Sequence, residues 1–250
     1  MLQEIWITRH GFREDWVTDN PHLPTNLKND PPLSELGREQ AQELGAFLKD
    51  KGIERVYSSP FYRVLQTVYP LIEETDVPLH LDNCMSEWYG AAYDRYLPPA
   101  PFEKLKELFP KLDLSHESSI PLPVGVETVS ICHQRVRDGL ETLLDELDKE
   151  PNGPSSILLA GHAASVICAV RALLGDETFP VRSGTASLSK FVRKDNGEGW
   201  ELVMHGDCSH LSKGEQRAWM FSGDIPDYEK KKMEEGVDES PRIVEHHTHS

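Results

Sequence analysis

Residues 2–8 form an apolar run, with Ile5, Trp6 and Ile7 leading straight into Arg9-His10-Gly11. A short apolar run bounded by a turn signal predicts a strand, and the glycine lets the chain turn sharply at its end. A second run, residues 156–160, is apolar in the manner of a parallel strand covered on both faces. It too stops at a glycine-histidine pair, Gly161-His162. Parallel strands need long crossovers, usually helices. The segments between the runs have that character.

After the first strand, residues 12–33 carry Pro21, Pro24, Pro31 and Pro32 and read as a loop. Ser34 is placed to cap a helix whose stripe Leu36, Ala41, Leu44, Phe47 and Leu48 has helical spacing and which stops at Lys51-Gly52. Residues 53–58 predict a second strand. A second helix follows over 61–75, interrupted or kinked at Pro70, and then a short strand over 77–81. Residues 90–126 hold six prolines and one short helical stretch near 102–109, and read as an insertion covering one side of the sheet as a lid or binding surface. A long amphipathic helix over 128–149 precedes the 156–160 strand, and a helix over 163–174 follows it. Residues 187–193 and 200–205 flank Asn196-Gly197 as a hairpin or two edge strands. The alternating order predicts an α/β fold: a doubly wound, mainly parallel sheet with helices on both faces. The expected domain spans residues 1–223, and residues 224–250 read as a charged, mobile tail.

Composition narrows the function. A net charge of −16 over 250 residues argues against a surface that holds nucleic acid directly. A few buried arginines can still make a positive pocket in an acidic protein. No apolar stretch reaches the roughly 18 residues of a membrane span, and no signal peptide is visible. Cys84, Cys132, Cys168 and Cys208 form no Cys-x-x-Cys pair, which suits reduced thiols in an intracellular protein, nuclear or cytoplasmic.

In open α/β sheets ligands bind at the C-terminal ends of the strands, and the polar groups of this chain gather there. Arg9 and His10 end the first strand. Arg63 lies in the first turn of the helix after the second strand, within a Ser-x-x-x-x-Arg-x-x-x-Thr pattern over 58–67. Glu87 follows the third strand in Met85-Ser86-Glu87-Trp88-Tyr89-Gly90, and His162 ends the last parallel strand. This ordered set resembles the histidine phosphatase superfamily, also called phosphoglycerate mutase-like, over about residues 3–206. Pro32–Ala41 is similar to that family's helix entry. The resemblance implies phosphoryl transfer with no metal or organic cofactor. His10 would be the nucleophile that forms a phosphohistidine. Arg9 and Arg63 would bind phosphate oxygens with their planar forks, and His162 would donate to another. Glu87 would give a proton to the leaving alcohol and later activate water. To stay protonated beside arginines it needs an apolar wall, expected from Trp88 and Tyr89.

The resemblance sharpens at Phe12-Arg13. Many mutases and sugar bisphosphatases have Glu or Gln and then a small polar residue here. Arg13 instead resembles the Arg-His-Gly-x-Arg of acid phosphatases and of the protein tyrosine phosphatases in T-cell ubiquitin-ligand suppressor proteins, so it is expected to bind substrate. Its other reading is an ion pair with Glu14 or Asp15. With Trp16, Glu87-Trp88-Tyr89, His162-Ala163-Ala164-Ser165 and Arg182-Ser183-Gly184, the chain resembles the phosphatase-like subunits of the fungal RNA polymerase III factor TFIIIC and their free-standing relatives. The implied function is a phosphomonoesterase for aryl phosphates or phosphopeptides of the phosphotyrosine type. The alternatives are a scaffold bound to TFIIIC subunits and a phosphoglycerate mutase or sugar bisphosphatase. Arg182-Ser183-Gly184 reads as an ordinary turn outside the site, and His246, His247 and His249 as adventitious metal binders at most, so no metal is expected.

Overall fold

The computed structural model describes residues 1–90 and 97–221; the expected tail over 224–250 and its histidines lie outside the described residues. Among the described residues there are seven strands and five α-helices. They are β1 (Glu4–Arg9), α1 (Glu35–Leu48), β2 (Arg55–Ser58), α2 (Tyr62–Thr75), β3 (Leu79–Leu81), α3 (Phe102–Leu108), β4 (Leu112–Asp113), α4 (Val129–Lys149), β5 (Ser156–Gly161), α5 (Ala163–Leu174), β6 (Leu188–Arg193) and β7 (Trp200–Asp207). The sheet order is β4-β3-β2-β5-β1-β6-β7. Strands β4, β3, β2, β5 and β1 are parallel, while β6 pairs antiparallel with β1 and β7 with β6.

Side-chain alternation along the central strands sorts the core into two layers. Ile5, Ile7, Ile157 and Leu159 face one side, where Val136, Leu140, Leu143 and Leu147 of α4 and the apolar face of α5 cover them. Trp6, Leu158 and Ala160 face the other, against Leu44 and Leu48 of α1 and Val64, Leu65, Val68 and Leu71 of α2. Period 2 in a strand and period 3.6 in a helix make this match possible. Each such buried aliphatic side chain contributes about 1.5–3 kcal/mol.

The Ser34 hydroxyl accepts from Gly37 N at 3.1 Å and so caps α1, and Thr128 caps α4 through Ile131 N. Helix α2 runs unbroken through Pro70, which differs from the expected interruption. The Pro70 side chain lies against Gly45 of α1, where an added Cβ would come within 3.1 Å of it. Close packing of the two helices holds the proline in place. Strand β4, two residues long, gave no periodic signal. The Pro-rich segment does not stay on one side of the sheet. Leu97, Phe102, Leu105 and Leu108 pack with α1 and α2, whereas Ile120 packs with α4.

The loop between β1 and α1 is closed at its base. Arg13 bridges Leu33, and the Ser34 N–H donates to the Phe12 carbonyl at 2.9 Å. Here two glycines are obligatory for contact. A Cβ on Gly37 would lie 2.1 Å from the Phe12 oxygen, and one on Gly11 would lie 2.9 Å from the Gly37 oxygen. The start of α1 therefore rests directly on the backbone that carries His10.

Candidate active site

Arg9 pairs with Gly161 across the β1–β5 ladder, and the His10 N–H donates to the Gly161 carbonyl at 2.9 Å. His162, the next residue on the β5 side, is the N-cap of α5, with its N–H donating to Ser165 Oγ at 2.9 Å. Adjacent parallel strands that both end in histidine thus bring the two imidazoles to 5.4 Å between ring centroids.

His10 Nδ1 lies 2.8 Å from the Gly11 carbonyl. A carbonyl only accepts, so Nδ1 carries the proton and Nε2 keeps its lone pair. Burial, and then the neighbouring Arg63 and Arg9, hold His10 well below the ordinary imidazole range. The ring is neutral at pH 7 and nucleophilic at Nε2.

Arg63 is buried in the first turn of α2. Its Nη1 donates to Asp30 Oδ1 and to the Asn29 carbonyl, each at 3.2 Å, and its Nη2 donates to Glu87 Oε2 at 2.9 Å. Asp30 is completely buried and also accepts from Tyr62 N at 2.8 Å, so it aligns both the guanidinium and the helix that carries it. Thr67 ties this helix to the nucleophile loop. Its hydroxyl donates to the Arg63 carbonyl at 2.7 Å and accepts from Gly11 N at 2.9 Å. Arg9 is aimed by two carbonyls, those of Ser183 at 2.7 Å and Arg217 at 2.6 Å. Burial, with repulsion from Arg13, Arg217 and Arg63 opposed by Glu87, pushes Arg9 down to about 9, still charged at neutral pH.

Glu87 Oε2 sits 3.0 Å from His162 Nδ1. Arg63 Nη2 lies 3.1 Å from the same nitrogen, and His162 Nε2 lies 2.8 Å from the Ser59 hydroxyl. Burial pushes His162 down to about 4 even though Glu87 opposes it. The expected apolar wall around Glu87 is corrected by this geometry. Trp88 Nε1 donates to the Glu127 carbonyl at 3.0 Å, and the Tyr89 hydroxyl donates to the Leu97 carbonyl at 2.6 Å, so both rings are committed elsewhere. Burial alone would raise the Glu87 carboxyl. His162 and Arg63 outweigh it and hold the group ionised, far below the usual carboxylate range.

The Glu87 segment lies outside the sheet and is fixed from α4. The Arg135 guanidinium donates to the carbonyls of Asn83, Cys84, Ser86 and Glu87 at 3.2–3.4 Å and is itself held by Glu127 at 2.5 and 2.9 Å.

Arg13 takes the ion-pair alternative: its Nε and Nη2 grip Asp15 at 2.9 and 2.6 Å. The same guanidinium lies 5.2 Å from the centre of the Trp16 ring, and the Trp16 ring is 6.1 Å from that of His10. Arg13 therefore borders the site, with Asp15 holding its fork.

The structure thus brings Arg9, His10, Arg63, Glu87 and His162 together, with Arg13 at the edge. Sequence reasoning missed Ser59, Asp30, Arg135 and Arg217. Asp30 lies in a Pro-rich loop without periodicity, and nothing local marks it. The 182–184 segment, read as an ordinary turn, matters through the Ser183 carbonyl on Arg9, while the Arg182 side chain pairs with Glu215. Three of the four cysteines are buried as free thiols. Among the described residues no cluster of three His, Cys, Asp or Glu is arranged to hold a metal ion, and no helix is long and apolar enough to cross a membrane.

The fold is an α/β protein with a mainly parallel sheet, and two histidines and two arginines gather over its C-terminal edge. The chain matches the histidine phosphatase superfamily, branch 1, over residues 5–207, and it belongs to that superfamily. It is 29% identical over 273 residues to the transcription factor tau 55 kDa subunit of Saccharomyces cerevisiae, with 93% of this chain and 63% of that protein covered. The chain thus spans less than two thirds of that relative's length. It is 25% identical over 218 residues to an Enterobacter sp. protein named "Probable phosphoglycerate mutase GpmB", covering 84% of this chain and 95% of that one. Among solved structures, the ecdysone phosphate phosphatase of Bombix mori in complex with tungstate superposes with a TM-score of 0.64 at 17% identity, over 92% of this chain and 99% of that one, which shows a shared fold.

Proposed function

We propose that this protein is a phosphomonoester hydrolase acting through phospho-His10. One observation carries the reading: the Nδ1–H of a buried, neutral His10 is tied to the Gly11 carbonyl, which leaves Nε2 free between Arg9, Arg63 and His162. In the first step Nε2 attacks phosphorus, the P–N bond forms, and the bond to the leaving oxygen breaks. Arg9 and Arg63 neutralise the equatorial oxygens, with the His162 imidazole beside them. A phosphoryl dianion offsets the positive charge that keeps Glu87 ionised, so substrate binding raises the carboxyl and suits it to protonate an alkoxide. In the second step the Glu87 carboxylate takes a proton from water, water oxygen attacks phosphorus, and the P–N bond breaks to return neutral His10.

Arg13 beside Trp16 favours bulky aryl phosphates or phosphotyrosine peptides over a small phosphorylated acid. The test is turnover of 4-nitrophenyl phosphate and phosphotyrosine peptides beside His10→Ala, with trapping of an acid-labile, base-stable phosphoprotein. Absent turnover, with wild type and His10→Ala indistinguishable, overturns the reading. Similarity to a transcription factor subunit favours a second reading, in which the protein is a nuclear scaffold on TFIIIC subunits. Stoichiometric co-purification with such subunits supports it, and recovery of a free protein argues against it. The mutase alternative predicts phosphoryl exchange that depends on a bisphosphoglycerate primer.

A further inference from the structure

Cys132 of α4 and Cys168 of α5 are buried thiols that phosphoryl transfer does not use. They meet where the two helices pack in the core, with their sulfurs 3.7 Å apart. A disulfide needs about 2 Å between sulfurs, so the gap closes by side-chain rotation and a shift of under about 2 Å.

The surroundings single out this pair. Burial raises the Cys168 thiol, but hydrogen bonding to Cys132 and His133, with the charge of Arg135 nearby, outweighs burial and holds it below the usual thiol range. Cys132 is pushed up by the Cys168 sulfur and by burial, so it keeps its proton. A thiolate beside a second thiol that can resolve it is the arrangement of an oxidisable pair. The other two cysteines differ. Burial and then Asp82 hold Cys84 well above the ordinary range, and burial with Glu215 and Asp207 pushes Cys208 up to about 12. Cys132 lies near the start of α4, next to half-exposed Ile131. Local opening of a helix end admits a molecule as small as hydrogen peroxide.

We propose that Cys132 and Cys168 are an oxidation site, a dithiol that peroxide converts to a disulfide joining α4 to α5, and that this bond slackens the hold of Arg135 on the Glu87 segment. The Cys168 sulfur attacks one peroxide oxygen, the S–O bond forms, and the O–O bond breaks. The Cys132 sulfur then attacks the Cys168 sulfur, the S–S bond forms, and the S–O bond breaks. The two thiol protons leave with the two oxygens, so two thiols and one peroxide give one disulfide and two waters. The link to Glu87 runs through one contact: Arg135 Nη2 lies 3.7 Å from Cys132 Sγ and donates to the Ser86 and Glu87 carbonyls. Drawing the Cys132 sulfur toward α5 removes that neighbour from the guanidinium. Only this effect on turnover rests on the hydrolase reading.

The test treats the folded parent protein with hydrogen peroxide, blocks remaining thiols with N-ethylmaleimide, and maps tryptic peptides by mass. The peptides bearing Cys132 and Cys168 should appear linked, two hydrogens lighter than their sum, and dithiothreitol should separate them. Cys132 and Cys168 that stay maleimide-labelled while Cys208 oxidises overturn the proposal, as does a link to Cys84 instead. The oxidised protein should lose about threefold or more in kcat with an alkyl phosphate and less with 4-nitrophenyl phosphate, because only the former needs the Glu87 proton. Dithiothreitol should restore the rate. Cys132→Ser and Cys168→Ser should each remove both the linked peptide and the reversible loss; a reversible loss that persists in either variant overturns the proposal. A linked protein whose kcat is unchanged, or falls equally for both esters, overturns the connection to Glu87. A parent protein that forms the link but turns over neither ester sinks the hydrolase reading and leaves the dithiol standing.

Discussion

On the inner side of His10, toward His162, the functional groups follow the C-terminal ends of parallel strands: Ser59 and Arg63 after β2, Glu87 after β3, His162 after β5. On the outer side, toward Trp16, the groups come from irregular chain: Arg13 and Trp16 from the loop after β1, and Arg217 from the segment after β7. The inner side is interlocked, with Arg63 joined to Asp30, Glu87 and the first turn of its own helix. The outer side is a stack of guanidinium and aromatic groups. An inner group is positioned by the end of a strand, an outer group by irregular chain.

The comparison can be broken most directly at the inner side. His10→Ala is expected to lower kcat at least about 10⁴-fold, as loss of a nucleophile does, measured by steady-state turnover of 4-nitrophenyl phosphate. Glu87→Gln should cost about 10²–10⁴-fold with an alkyl phosphate, the range for a lost general acid. The loss should be much smaller with 4-nitrophenyl phosphate, whose leaving group needs no proton; equal losses would remove Glu87 from that role. Arg63→Met leaves Asp30 buried beside no cation and should destabilise the fold by about 3–5 kcal/mol in urea unfolding. Arg63→Met with Asp30→Asn should recover part of that loss.

Acid should also act through the inner side. His162 is held at about 4 and His10 well below 6.5, whereas the unfolded chain takes up these protons near 6.5. As pH falls from about 6.5 toward 4 the unfolded state binds more protons, so stability drops by about 1.4 kcal/mol per pH unit for each histidine at the steepest. Glu87, held low, adds its own loss as pH falls below 4.5. Urea midpoints that stay flat between pH 7 and 5 would contradict this. The smallest effect belongs to the outer side: Asp15→Ala, which frees the Arg13 fork, should change KM for aryl phosphates no more than about fivefold, because a partly exposed ion pair contributes up to about 1 kcal/mol.

The same division explains what could be read in advance. Strands β1 and β5 and helix α5 declare themselves by largely apolar segments that end at Arg-His-Gly, Gly-His and Gly, and the inner residues follow because a strand end fixes a place in space. The Glu87 environment was misjudged for a physical reason. Its neighbours in sequence are aromatic, but its neighbours in space are Arg63 and His162, which reach it from the starts of α2 and α5. Asp30 and Arg217 depend on loops whose course is set by tertiary contacts, so their roles had no local signal. At Pro70 the helix continues without the expected interruption, and the proline packs on Gly45 of α1.

One guanidinium has a reach out of proportion to its size. Arg135 gathers the carbonyls of Asn83, Cys84, Ser86 and Glu87 and binds them to the first turns of α4. That stretch is therefore a rider on a long helix whose far end packs under the sheet. The placement of Glu87 therefore depends on α4, a helix of 21 residues, as well as on the strand before it.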